Sequence, residues 1–243
     1  MRLRNSRFVQ TILCTSRPFR RFTTILSIAC SLLRRLLRIA GSSRETSRSW
    51  HTPWCPALTR YKPRRLSHVI GFDDAPFART HRGDVLVIGA VFAGNRLDGV
   101  LIDRVRRDGA NSARTLIRMI RGSKFVQHLQ LIMLQGIALA GFNVVDVFEL
   151  HRQLALPVLV IARRRPNLAA VREALITRVP AGRRKWSIIE RLGPMEPAAG
   201  VFVQRVGISL PDAATVIQRF AIHSSIPEPL RVAHMIAGSG GRV

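Results

Sequence analysis

From residue 67 onward, apolar and polar positions recur in short blocks whose period switches between two and about three and a half. His68–Phe72 (HVIGF) is a short apolar run ending on two adjacent acids, Asp73 and Asp74. Pro76, with no N–H to give to a ladder, stops it as a strand. Asp84–Phe92 (DVLVIGAVF) is apolar and β-branched and predicts a second strand. Gly94-Asn95-Arg96 turns the chain into a third, Leu97–Val105, and so short a link makes the pair an antiparallel hairpin. Ala110–Gly122 predicts a helix, with Asn111 or Ser112 at its start, Leu116, Ile117 and Ile120 along one side, and Gly122 just past its end. Leu129–Leu134 is a fourth strand, apolar enough to be buried on both faces. The stretch Gln135–Val145 is too apolar and glycine-rich for an ordinary surface loop.

Further on, Asp146–Leu154 predicts a short helix on Val147, Leu150 and Leu154. Pro157–Ala162 is a fifth strand, and Asn167–Thr177 a helix capped by Asn167. Between Arg178 and Ala199 the pattern weakens; Trp186–Ile189 reads as a short strand. Gly200–Val206 alternates as an edge strand. Pro211–Phe220 is a helix with Pro at its first position and Ser209 as cap, Pro229–Ile236 a last helix, and Gly238–Gly241 a frayed tail. Three antiparallel strands followed by strand–helix crossovers predict an α/β fold, a mixed sheet with helices on both faces. That succession is the one found in RNase H-like folds, where the first strand lies mid-sheet beside the fourth and their tips bring carboxylates together.

On this arrangement Asp73 and Gln135 emerge at one edge of the sheet. Asp73 and Asp74 either supply hard oxygen ligands to a divalent ion or cap the turn that follows. Asp98 at the start of the third strand, Asp146 at a helix start and Glu228 before the last helix are further candidates; Asp146 also suits a helix cap. Asp103 and Glu149 read as ordinary surface charges, and His234, on an apolar helix, as a packed histidine.

Charge adds a partner class. The net charge is +25. Residues 67–243 hold 24 Lys and Arg against 13 acids, with basic runs at Arg104–Arg107, Arg163–Arg165 and Arg183–Lys185. These are a solvated surface or a surface that tracks phosphates. Trp186 and Phe220 are candidates for stacking on bases. All three cysteines precede residue 67, which excludes a disulfide framework or a cysteine zinc site in the main piece. There is no Walker loop and no GxGxxG. The first 66 residues carry 15 basic residues and one acid, Glu45. They read as a basic extension without a core pattern: a transit-like segment, a basic amphipathic helix for an anionic surface, or translated upstream sequence. Their one apolar run, Thr24–Leu33, is too short to span a bilayer, so no stable membrane insertion and a cytoplasmic location are expected unless the extension targets an organelle.

Several stretches resemble a family long of unknown function and associated with endonuclease dU, a distant relative of endonuclease V. They are IGFDDAPF (70–77), GAVFAGNRLDGVL (89–101), RDGANSARTLIRMIRGSKF (107–125), HLQLIMLQGIALAGFNVVDV (128–147), LPVLVIARRRPNLAAVREAL (156–175), KWSIIERLGPMEP (185–197) and IPEPLRVAHMIAG (226–238). The resemblance implies an RNase H-like fold for residues 67–243 and cleavage of DNA at deoxyuridine with Mg²⁺ or Mn²⁺. It places Asp73 on the metal. Where the pattern has Asp-Gly after the fourth strand, this chain has Gln135-Gly136, a neutral carbonyl oxygen for a carboxylate. Asp74, Asp98 and Glu228 are then the acids available to complete the site. Arg163, Arg164, Arg165, Lys185, Asn143 and Arg231 are assigned to the nucleic acid, with the loop 136–143 near an extruded base. A non-catalytic nucleic-acid-binding protein on the same scaffold, and an enzyme for a small phosphorylated or nucleotide substrate, stay open beside this reading.

Overall fold

The computed structural model describes residues 66–240; the expectations for the first 65 residues lie outside them. A seven-stranded sheet forms the centre, in the order β3-β2-β1-β4-β7-β9-β8. Its strands are β1 (His68–Asp74), β2 (Asp84–Ala93), β3 (Arg96–Arg106), β4 (Leu131–Gln135), β7 (Val158–Ala162), β8 (Glu196–Ala198) and β9 (Val201–Val206). The segment after β4, read as no ordinary loop, is a small hairpin of β5 (Ala138–Leu139) and β6 (Asn143–Val144). The helices are α1 (Ser112–Arg121), α2 (Val147–Leu154), α3 (Leu168–Arg178), α4 (Gly182–Leu192), α5 (Leu210–Phe220) and α6 (Glu228–Gly240).

β1 sits mid-sheet, antiparallel to β2 and parallel to β4, and β4 is parallel to β7. In a strand, successive side chains point to opposite faces. Val69, Leu131, Met133 and Ile161 therefore meet Phe220 of α5 and Leu230 and Ala233 of α6. Ile70, Phe72, Ile132 and Leu134 face the other way, onto Leu116 and Ile120 of α1 and Leu150 of α2. Among the described residues no helix is long and apolar enough to cross a membrane.

Three parts of the chain differ from the sequence reading. Trp186–Ile189 belongs to helix α4, not a strand. Its buried stripe is Gly182, Lys185 and Ile189, at helical spacing, but a lysine occupies the middle and hides the apolar period. β9 is not the edge strand, because the three residues of β8 pair outside it. The tail read as frayed continues α6 to Gly240.

Candidate active site

The carboxyl ends of β1, β4 and β7 lie side by side, with Phe72 opposite Leu134 and Gln135 opposite Ile161. Asp73 and Gln135 are the next residues along that ladder from Phe72 and Leu134. Neighbouring strands run about 5 Å apart, so the two side chains stand together at the strand tips. Asp73 shares the face of Gly71, on which α6 lies directly: a Cβ at Gly71 would come within 2.5 Å of the Pro229 carbonyl carbon and 2.7 Å of the Leu230 nitrogen. α6 thereby brings His234 to Asp73, its Nδ1 lying 2.7 Å from Oδ2. The Asp73 side chain is 8 % exposed, whereas the His234 side chain is 66 % exposed. His234 is therefore not the packed histidine its apolar helix suggested. Gln135, His234, Arg163, Arg231 and Ile226 line a cleft of about 300 Å³.

Asp73 and Asp74 are consecutive and point to opposite faces. Asp73 Oδ1 accepts from the Asp74 N–H at 3.0 Å, while Asp74 Oδ2 accepts from the Ala140 N–H of the β5–β6 turn, also at 3.0 Å. Burial pushes the Asp73 carboxyl above its ordinary range, opposed by the bond to His234. The Asp74 carboxyl is pushed up to about 6, chiefly by burial; the Ala140 N–H opposes this and repulsion from Asp73 adds to it.

The remaining predicted residues fall in different places. Asp98 lies on β3, pairs with Arg96 on the surface, and is two strands away and toward the opposite end of the sheet. Glu228 is buried at the start of α6, where Arg231 binds it at 2.6 Å and holds it below the usual carboxylate range. Asp146 caps α2, accepting from Phe148 N and Glu149 N. Asn143 is fully buried and braces the hairpin, accepting from Ser112 N and donating to the Arg106 carbonyl and Asn111 Oδ1. Lys185 is buried too; its Nζ donates to the Asp108 carbonyl at 2.6 Å, and burial lowers its pKa. Phe220 is fully buried in the core and so is no stacking platform. Trp186 is half-buried beneath Arg172. Arg163, Arg164 and Arg165 are exposed at the β7 tip and make no ion pair among the described residues.

The oxygens of Asp73 and Gln135 fit a single hard divalent cation that keeps several waters and takes further ligands from a phosphate. Among the described residues no group of three or more His, Cys, Asp and Glu side chains is placed to hold a metal.

Comparison with known proteins agrees with this architecture. The UPF0215 protein of Deinococcus radiodurans is 56 % identical over 174 residues, covering 72 % of this chain and 89 % of that one. A crystal structure of a protein of unknown function from Archaeoglobus fulgidus superposes with a TM-score of 0.68 at 28 % identity, over 72 % of this chain and 99 % of that one. An endonuclease V of Ciona intestinalis, crystallised with DNA containing an inosine, shares the fold with a TM-score of 0.51 at 12 % identity, over 75 % of this chain and 88 % of that one. The sequence model of the endonuclease dU family matches residues 65–240, and the chain belongs to that family.

Proposed function

We propose that the protein is a metal-dependent DNA endonuclease acting at a deaminated base, deoxyuridine first among them. The observation that carries the reading is the buried Asp73 carboxylate at the tip of the central strand. Gln135 stands beside it, His234 is bonded to it, and two arginines line the adjoining cleft. Asp73 and Gln135 would hold one Mg²⁺ or Mn²⁺, which when bound supplies charge stabilisation at a phosphoryl oxygen. Arg163 and Arg231 draw the phosphodiester into the cleft. His234, fixed through Nδ1 by Asp73, keeps Nε2 unengaged among the described residues and able to take or return a proton at the cleft. Asp74 holds the hairpin that follows Gln135 in place. Arg164 and Arg165 extend the basic surface along the DNA.

The test is incubation of the full chain with end-labelled DNA carrying one uracil, and with undamaged DNA of the same sequence, in Mg²⁺, Mn²⁺ or EDTA. Nicking near uracil that EDTA abolishes is the expected result. Uracil-independent nicking overturns the specificity, and no nicking in any metal overturns the catalytic reading. Gln135 favours one second reading, a nucleic-acid-binding protein without catalysis, because it leaves one carboxylate where a cation needs charge. Binding without nicking is its signature.

A further inference from the structure

The turn that joins β3 to α1 carries a backbone outlier. Asp108 has φ 53°, a conformation that is costly for a residue with a Cβ and that Asp and Asn tolerate best after glycine. Strain of this kind persists where the surroundings over-determine it, and it gathers at functional sites. The surroundings here are the turn of the β5–β6 hairpin, where Ala140 and Gly141 also have positive φ, 48° and 84°. The Asp108 N–H donates to the Ala140 carbonyl at 3.0 Å, and Asp108 Oδ1 accepts from the Phe142 N–H at 2.8 Å. A Cβ at Gly141 would come within 2.6 Å of that Oδ1, so the carboxylate fills the space a side chain would take. Oδ2 faces the Arg107 guanidinium at 3.2 Å, and Arg107 in turn donates to the carbonyls of Arg79 and His81.

The remaining backbone group of Asp108, its carbonyl, accepts from Lys185 Nζ at 2.6 Å. Lys185 is 4 % exposed and sits on the buried face of α4 between Gly182 and Ile189. Burying an ammonium is costly, and an apolar chain of similar volume in its place is commonly neutral or better for stability. Packing alone therefore gives no reason for a lysine there. Among the described residues the Asp108 carbonyl is its hydrogen-bond partner, so what the buried charge secures is this turn. The hairpin held in this way begins just after Gln135 and is bonded from its other side by Asp74, whose Oδ2 accepts from the Ala140 N–H at 3.0 Å. Residues 140–142 are thus clamped between Asp74, the neighbour of Asp73, and Asp108, which Lys185 fixes.

We propose that Lys185 and Asp108 are positioning residues for the reaction. They pin the hairpin turn, and the pinned hairpin keeps Gln135, at its start, and the β1 tip, through Asp74, at the separation one cation needs. The proposal rests on the reading of Asp73 and Gln135 as the metal site. Lys185, which its basic run assigns to the nucleic acid, acts instead from beneath the hairpin, with its charge turned into the protein.

Lys185→Met in the full chain tests this, because methionine removes the charge and keeps an apolar chain on the buried face. Its melting temperature without metal should stay near the parent's, while hydrogen exchange in peptides covering residues 136–145 should speed up. The Mg²⁺ concentration that raises the melting temperature should increase about tenfold, and single-turnover nicking of uracil-containing DNA should slow by about as much, the usual effect of losing a group that orients a metal ligand from behind. DNA affinity in EDTA, and its dependence on salt, should not change. Asp108→Ala should show the same losses. Asp108→Asn, which keeps an oxygen for the Phe142 N–H and tolerates positive φ, should keep most of the parent's rate. Parental Mg²⁺ dependence and nicking in Lys185→Met overturn the proposal. So do unchanged exchange in the hairpin, a loss confined to DNA affinity, or an Asp108→Asn protein no better than Asp108→Ala. A parent that neither responds to Mg²⁺ nor nicks overturns the reading of the metal site, and this proposal with it.

Discussion

Asp73 and Asp74 differ in their partners because the pleat sends them to opposite faces: Asp73 to His234 of α6, Asp74 to the hairpin. Asp74 gives a stability prediction with a definite sign. Its folded pKa is about 6 against 3.8 for the free group. The folded protein therefore holds this proton more tightly than the unfolded chain, and stability falls as pH rises through the window from 3.8 to about 6. A shift of two units corresponds to roughly 3 kcal/mol; discounted for partial exposure, about 1–2 kcal/mol remains. Asp74→Asn keeps an oxygen for the Ala140 N–H and removes the charge. In EDTA it should raise the melting temperature at pH 7.5 by several degrees and leave it unchanged at pH 4, where the aspartate is already protonated. An equal change at both pH values would locate the effect elsewhere. Position 135 gives the converse experiment. Gln135→Asp sets a second carboxylate beside Asp73, so the metal-free protein should melt lower than the parent and gain more from Mg²⁺. Equal Mg²⁺ shifts in both proteins would mean that no cation binds at residue 135. Asp73→Asn should abolish both the Mg²⁺ shift and any nicking.

At the level of elements, β1, β2, β3, β4, β7 and the helices α1, α2, α3, α5 and α6 are legible in the sequence because each follows one period and carries its own punctuation. Ser209 and Asn167 cap where the pattern placed them. Asn111 stands at the N-cap of α1 as expected, but its side chain makes no capping bond; its Oδ1 accepts instead from Arg106 N and from Asn143. α4 was illegible because the residue on its buried face is a lysine whose partner, the Asp108 carbonyl, lies 77 positions away. Asp73 and Gln135 were legible as strand tips. His234 was not: Leu230 and Ala233 on the same helix are fully buried, and only the placement of α6 on Gly71 decides that the next face turns to the cleft. That placement is testable. Gly71→Ala forces a methyl against the backbone of Pro229 and Leu230, which should cost about 1–3 kcal/mol. Because the displaced helix carries His234, any nicking by the variant should drop even at temperatures where it stays folded. An alanine tolerated without loss in either measurement would mean that α6 does not bear on β1 as described.

For the molecule as a whole, the balance of charge decides how it meets a polyanion. In residues 67–243 the 13 acids are largely engaged: Asp84, Asp98, Asp103, Asp108, Asp146, Glu149, Glu196 and Glu228 each face an arginine. Such surface pairs add little stability, but they cancel much of the field near them and leave the uncompensated positive charge at particular places. The exposed tip of β7 is one, with Arg163, Arg164 and Arg165 beside the cleft. If DNA lies across that tip, its affinity falls with salt, because each phosphate neutralised releases counterions and contributes about 0.9 to the log–log slope for duplex DNA. Replacing the three arginines with alanine should lower that slope by about 2 to 3 and weaken binding to uracil-containing and undamaged DNA alike, since phosphate contacts carry no sequence information. Lys124→Ala, an exposed lysine over Phe125 beyond the end of α1, should leave the slope unchanged. The measurement is fluorescence anisotropy of labelled DNA titrated at several salt concentrations for parent, triple variant and control. A slope that survives loss of all three arginines would move the DNA path off the β7 tip, and a parent whose binding ignores salt would point to a small, weakly charged ligand instead.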